Sequence, residues 1–132
     1  MEVSKGAYLL VVELEEGLER WGLGPGLYAY VGSAWGPGGL FARVRRHLTK
    51  GFSKPRWHVD YLTMKGKPLI AFLFPGLTEE ELYSVVAKVL RPAVKGFGST
   101  DTKHLTHLFV AEPRRLPELL SRIRSLRKTD RT

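Results

Sequence analysis

Three kinds of side chain stand at spacings suited to work on a phosphate. Tyr8 and Tyr30 bring phenols, while Arg43 and His47 set a guanidinium and an imidazole four residues apart. On a helix that spacing places both groups on one flank. Leu27, Ala29 and Val31 alternate with Tyr28, Tyr30 and Gly32, the period of a strand whose tyrosines share one face. A fixed cation and an imidazole on a rigid element, turned toward that face, would build a phosphate site. A planar guanidinium matches the charge that grows on nonbridging oxygens when a phosphodiester is hydrolysed. Gly32 offers bare backbone for close approach. Arg46 and Lys50 extend the basic surface as candidate substrate contacts.

The elements that must hold these groups follow from periodicity and breakers. Gly6 to Glu15 reads as an apolar strand, and Gly17 to Gly26, with four glycines and Pro25, as a connection. The strand Leu27 to Val31 then pairs antiparallel with the first in a long hairpin. From Gly32 to Gly39 there are four glycines and a proline in eight residues, too many for a regular element. A helix from about Gly39 to Thr49 follows, with Leu40, Val44 and Leu48 as its buried stripe and Phe41 beside it. Gly51 suits its C-terminal cap.

Phe52 to Arg56 is a basic loop, and Trp57 to Met64 reads as a short helix with Trp57, Tyr61 and Met64 on one face, or as a strand. On a helix His58 and Asp60 would point apart. Leu69 to Phe74 is continuously apolar, the pattern of a central strand covered on both faces. Thr78 with Glu81 makes a capping box, and Glu79, Glu80 and Glu81 suit the first turn of a helix that runs to Pro92. A glycine-bearing loop, a strand at Leu105 to Ala111 and an amphipathic helix at Leu116 to Leu126 complete the chain. The expectation is one α+β domain, a small, mainly antiparallel sheet flanked by helices, with 113–132 a basic C-terminal helix.

At 132 residues the chain suffices for a single core, and it has no apolar run of membrane-spanning length. It shows no signal-peptide pattern, which reads as cytoplasmic. The absence of cysteine excludes disulfides, thiolate zinc sites and cysteine nucleophiles. The net charge of +8 is concentrated: residues 43–67 carry eight basic groups and one acidic, and residues 114–132 seven and two. A polyanion such as nucleic acid is the partner this charge suggests, and no membrane is expected. The C-terminal arginines read as a solvated face that adds nonspecific affinity. His104 and His107 would pair as metal ligands only on a helix, and their segment reads as loop and strand.

Gly6-Ala7-Tyr8, Tyr30-Val31-Gly32 and the R-x-x-x-H spacing of Arg43 and His47 together resemble the GIY-YIG nuclease superfamily. The runs GGL at 38–40, WHVDYL at 57–62 and GFGSTD with HLF between 96 and 109 are similar to its compact stand-alone branch. The resemblance implies a three-stranded antiparallel core, extended by one or two further strands, and metal-dependent hydrolysis of DNA on branched or damaged structures. By the same resemblance Tyr8 would position or activate the attacking water, Tyr30 would order the phosphate and water network, and Arg43 would stabilise phosphoryl charge. His47 would complete the catalytic set. One Mg²⁺ or Mn²⁺ would be held by a carboxylate, Glu80 with Glu79 and Glu81 as alternatives.

A single glutamate can suffice, because Mg²⁺ keeps several waters and takes the rest of its ligands from substrate phosphate. Where relatives of that branch carry cysteines after the glycine loop, this chain has Thr102 and His104. The rival expectations are a noncatalytic nucleic-acid-binding domain and a partner module for repair proteins.

Overall fold

Nine residues of β1 (Gly6–Leu14) run antiparallel to β2 (Gly26–Ala34) without a break in register, from Gly6 opposite Ala34 to Leu14 opposite Gly26. The computed structural model describes residues 5–34, 39–48, 58–99 and 102–130, with side chains to 126. The turn residues 35–38, the expected contacts and cap at Lys50 and Gly51, the basic loop, Trp57 and Asp101 lie outside the described residues. Three further strands or helices alternate after α1 (Gly39–Leu48) and α2 (His58–Lys65): β3 (Lys67–Pro75), α3 (Glu79–Val89) and β4 (Leu108–Val110). The chain closes with α4 (Leu116–Asp130). The sheet is antiparallel throughout, in the order β3-β1-β2-β4.

The central pair explains its own composition. β1 is apolar at nearly every position because both of its faces are covered. Ala7, Leu9, Val11, Ala29 and Val31 pack against α3 and α4, and Tyr8, Leu10, Val12, Tyr28 and Tyr30 pack against α1 and α2. The period-2 alternation therefore sorts two cores, and the tyrosines fall together on the α1/α2 side. Among the described residues no helix is long and apolar enough to cross a membrane.

Several local expectations change. β2 continues through Gly32, Ser33 and Ala34, because those residues pair with Tyr8, Ala7 and Gly6. β3 is an edge strand and not a central one: among the described residues it pairs with β1 alone, and Leu69, Ile70 and Leu73 stay exposed. Its register shifts between Val11 and Val12, which brings Pro68 opposite Val12; proline lacks a ladder donor and is tolerated at such an edge irregularity. On α1 the buried stripe is Leu40, Val44 and His47, while Leu48 and Phe41 face outward, Phe41 at 67% exposure. α2 is a helix, but it buries Val59, Asp60, Leu62 and Thr63 and leaves Met64 exposed. The capping box of α3 forms as expected between Thr78 and Glu81. β4 is shorter than the expected 105–111 strand, although Val31 N–H to His107 O and Ala111 N–H to Leu27 O prolong its contact with β2.

Candidate active site

Tyr8 projects from β1 directly opposite Gly32 of β2. A Cβ at residue 32 would lie 2.3 Å from Tyr8 Cζ and 2.4 Å from its oxygen, so the ring rests on bare backbone. The expectation that Gly32 is bare for a substrate is thereby revised: the tyrosine ring takes the space. Tyr8 Oη meets His47 Nε2 at 2.6 Å, and Tyr30 stands beside it with ring centroids 6.3 Å apart. Tyr8 and His47 are each only 1% exposed.

Burial, first, pushes the Tyr8 phenol well above its usual range, aided by neighbouring Tyr30 and by the charge of Glu79; the charge and hydrogen bond of Arg43 pull the other way. Burial likewise lowers His47 to about 4, with Arg43 and Arg46 adding to the fall and the Asp60 carboxylate opposing it. Both groups are therefore neutral at neutral pH. His47 Nδ1 is buried and finds no hydrogen-bond partner among the described residues. In the tautomer that carries its hydrogen on Nδ1, the ring would accept the Tyr8 hydroxyl hydrogen at Nε2; in the other it would donate from Nε2 to the phenol oxygen.

Arg43 reaches the same place from α1. Its Nη1 donates to Ser33 O at 3.4 Å, and its guanidinium acts on Tyr8 as described. Ser33 also joins the acidic side, since its hydroxyl donates to Glu79 Oε1 at 3.4 Å. Ser33 thus ties the cation and the carboxylate together. The sequence reading missed it inside the glycine-rich segment; its place directly after Tyr30-Val31-Gly32 was the available signal.

The three glutamates separate cleanly. Glu81 is occupied by the cap, accepting the Thr78 N–H at 2.9 Å. Glu80 is mostly exposed and contacts His104 Nε2 at the surface. Glu79 alone is turned to Ser33 and to the electrostatic field of Tyr8. Of the three, Glu79 is the carboxylate bonded to Ser33 and the one whose charge acts on Tyr8, while Glu80 is the one that meets His104. No group of three or more histidine and acidic side chains suited to a metal occurs among the described residues. Of the three glutamates, Glu79 is the half-buried one that could offer a carboxylate oxygen to a cation.

Around this cluster lie residues with other work. Arg46, expected to meet substrate, donates from Nη2 to Asp60 Oδ2 at 2.9 Å, and the Asp60 side chain is wholly buried. His58 and Asp60 do point apart on α2, His58 Nδ1 accepting the Gly98 N–H at 2.7 Å. His104 Nδ1 and His107 Nε2 stand 2.9 Å apart, with Glu79 Oε1 3.9 Å from His107 Nδ1 and Tyr83 stacked on His104. The two imidazoles face each other through one hydrogen bond. Tyr28 is a packing residue whose hydroxyl donates to Gly24 O at 2.7 Å. A groove of about 540 Å³ between Glu16–Arg20 and α2 is lined by none of the candidate residues.

α4 packs on the opposite side of the sheet from the tyrosines, and its Glu118 pairs with Arg122 on the same helix and with Arg115 just before it.

No curated protein and no solved structure matches the chain. The profile of one family, described as "Domain of unknown function DUF123", matches residues 7–128, nearly the whole length. That span includes both tyrosines, Arg43, His47 and Glu79, so the cluster is built wholly within the matched region: the chain belongs to the DUF123 family.

Proposed function

We propose that this protein is a metal-dependent endonuclease that hydrolyses DNA phosphodiester bonds. The observation that carries the reading is the convergence of Arg43, the Tyr8–His47 pair and Glu79 around Ser33. The order of the motifs and its resemblance to GIY-YIG nucleases point the same way. Arg43 and Glu79 are the half-buried members, and a phosphate meets them first. Arg43 would neutralise charge on the nonbridging oxygens. Glu79 would hold Mg²⁺ jointly with substrate phosphate; bound there, the ion supplies Lewis acidity and a more acidic water.

A phenol raised in pKa cannot serve as a base by losing its proton to bulk water. Tyr8 can instead take a proton from the attacking water as it passes its own to His47 Nε2, and neither group need be charged beforehand. The hydroxide adds to phosphorus, the bond to the leaving oxygen breaks, solvent protonates that oxygen, and His47 returns its acquired proton through Tyr8 to solvent, as its lowered pKa of about 4 favours. Incubation of labelled single-stranded, duplex and branched DNA with Mg²⁺ or Mn²⁺ tests the reading. Products should form with metal, vanish with chelator and fall at least about a hundredfold in Arg43→Ala. Cleavage that survives in Arg43→Ala would remove Arg43 from its role.

The second reading, a noncatalytic nucleic-acid-binding domain, draws on the near-complete burial of Tyr8 and His47. Its signature is steeply salt-dependent DNA affinity with no cleavage product.

A further inference from the structure

We infer that His58 is a positioning residue, which pins the Phe97–Gly98 loop against Tyr30 and so fixes the second tyrosine of the site. The inference rests on the nuclease reading for its kinetic consequence only; its structural part stands alone. Gly98 lies in the left-handed region at φ +70°. A Cβ there would come within 2.9 Å of Tyr30 Cε1 and 3.1 Å of its hydroxyl oxygen. The loop backbone thus presses directly on the Tyr30 ring. Phe97, fully buried, sets its edge against the same ring at 6.1 Å.

The loop is tied to the approach to β4 by His107 N–H to Phe97 O and Gly96 N–H to Leu105 O, each 2.8 Å. Its tie to the helical layer runs through His58, whose Nδ1 accepts the Gly98 N–H at 2.7 Å. The His58 ring is itself held between Trp21, at 4.7 Å, and Phe97, at 5.6 Å. To accept at Nδ1 the imidazole must be neutral with its hydrogen on Nε2. Burial and the neighbouring Arg20 both favour the neutral ring. Three aromatic rings and one acceptor nitrogen therefore lock a glycine onto Tyr30, whose ring neighbours that of Tyr8 at 6.3 Å.

The test uses the full chain labelled with 3-fluorotyrosine, the Tyr30 signal being assigned by Tyr30→Phe. His58→Phe keeps a ring between Trp21 and Phe97 but removes the acceptor. His58→Asn returns an acceptor oxygen at the position of Nδ1. The Tyr30 resonance should shift and broaden in His58→Phe and return in His58→Asn, with Tyr83 on α3 unmoved in both. In cleavage assays kcat should fall about tenfold in His58→Phe with KM unchanged, the value of one hydrogen bond, and recover in His58→Asn.

A Tyr30 signal indifferent to His58→Phe overturns the inference, and so does a folded His58→Asn that fails to restore it. Should His58→Phe not fold, ¹⁵N spectra of the unaltered protein decide: a hydrogen-bonded Gly98 amide with an unprotonated His58 Nδ1 supports the lock, and a solvent-exchanging Gly98 amide refutes it. Absence of cleavage by the unaltered protein would remove the nuclease reading and leave these spectroscopic outcomes standing.

Discussion

A methyl group added at Gly32 would collide with the centre of the site. In Gly32→Ala the new carbon would sit 2.3 Å from Tyr8 Cζ, 2.4 Å from Oη and 2.8 Å from Cε1, so the ring must move by about 1 Å or more to reach ordinary contact distance. The ring is 1% exposed and packed among core side chains, and moving it breaks the 2.6 Å bond to His47. Overpacking costs about 1–3 kcal/mol. Stranding a buried hydroxyl and ring nitrogen adds about 1–3 kcal/mol. We therefore expect Gly32→Ala to lose roughly 2–6 kcal/mol of stability.

The assay is urea unfolding of a double-mutant cycle with Tyr8→Ala. Removal of the ring vacates the space, so Gly32→Ala in that background should cost less than about 1 kcal/mol, a coupling of at least about 1 kcal/mol. Equal costs in both backgrounds would refute the claim that Gly32 is bare for the sake of the tyrosine.

Acid should destabilise the fold through His47. Its pKa is about 4 when folded against 6.5, so the unfolded chain takes up the proton first. Stability is full above pH 6.5 and falls by about 3 kcal/mol as pH drops to 4. Urea midpoints measured across that range should lose most of this slope in His47→Gln; an unchanged slope would contradict the assignment. Asp60→Asn should cost about 1–3 kcal/mol, because it weakens the partner of Arg46 at a wholly buried position. It should also deepen the fall in the His47 pKa, read by NMR titration, since Asp60 favours the protonated ring. A His47 pKa that stays put or rises would separate the two groups.

Much of this arrangement was legible in the sequence. Alternation in β1 and β2 announces two covered faces, and the tyrosines fall on one of them as expected. The capping box of α3 follows from local chemistry alone and forms. Glycine content misled at Gly32 to Ala34, because pairing with β1 and the demand of the Tyr8 ring override the tendency of glycine to break a strand. The apolar run of β3 looked central, yet strand order depends on which partner is available on each side, and none lies beyond β3 among the described residues.

Helix rotation was the other missing quantity. His47 rather than Leu48 faces the sheet on α1, since a core that contains a phenol rewards an imidazole able to accept its hydrogen. Residues adjacent in a helix are about 100° apart, so Glu79 and Glu80 face different surroundings, and only the packing of α3 decides which one sees Ser33. Asp60 lies in the WHVDYL run, but its partner Arg46 is on another helix, a pairing that composition cannot reveal.

The account is tested most directly by metal-dependent cleavage of labelled branched DNA by two variants measured beside the unaltered protein. Glu79→Ala should abolish cleavage, whereas Glu80→Ala, at the surface contact with His104, should cleave nearly as the unaltered protein does. The reverse pattern, or full cleavage by Glu79→Ala, would contradict it.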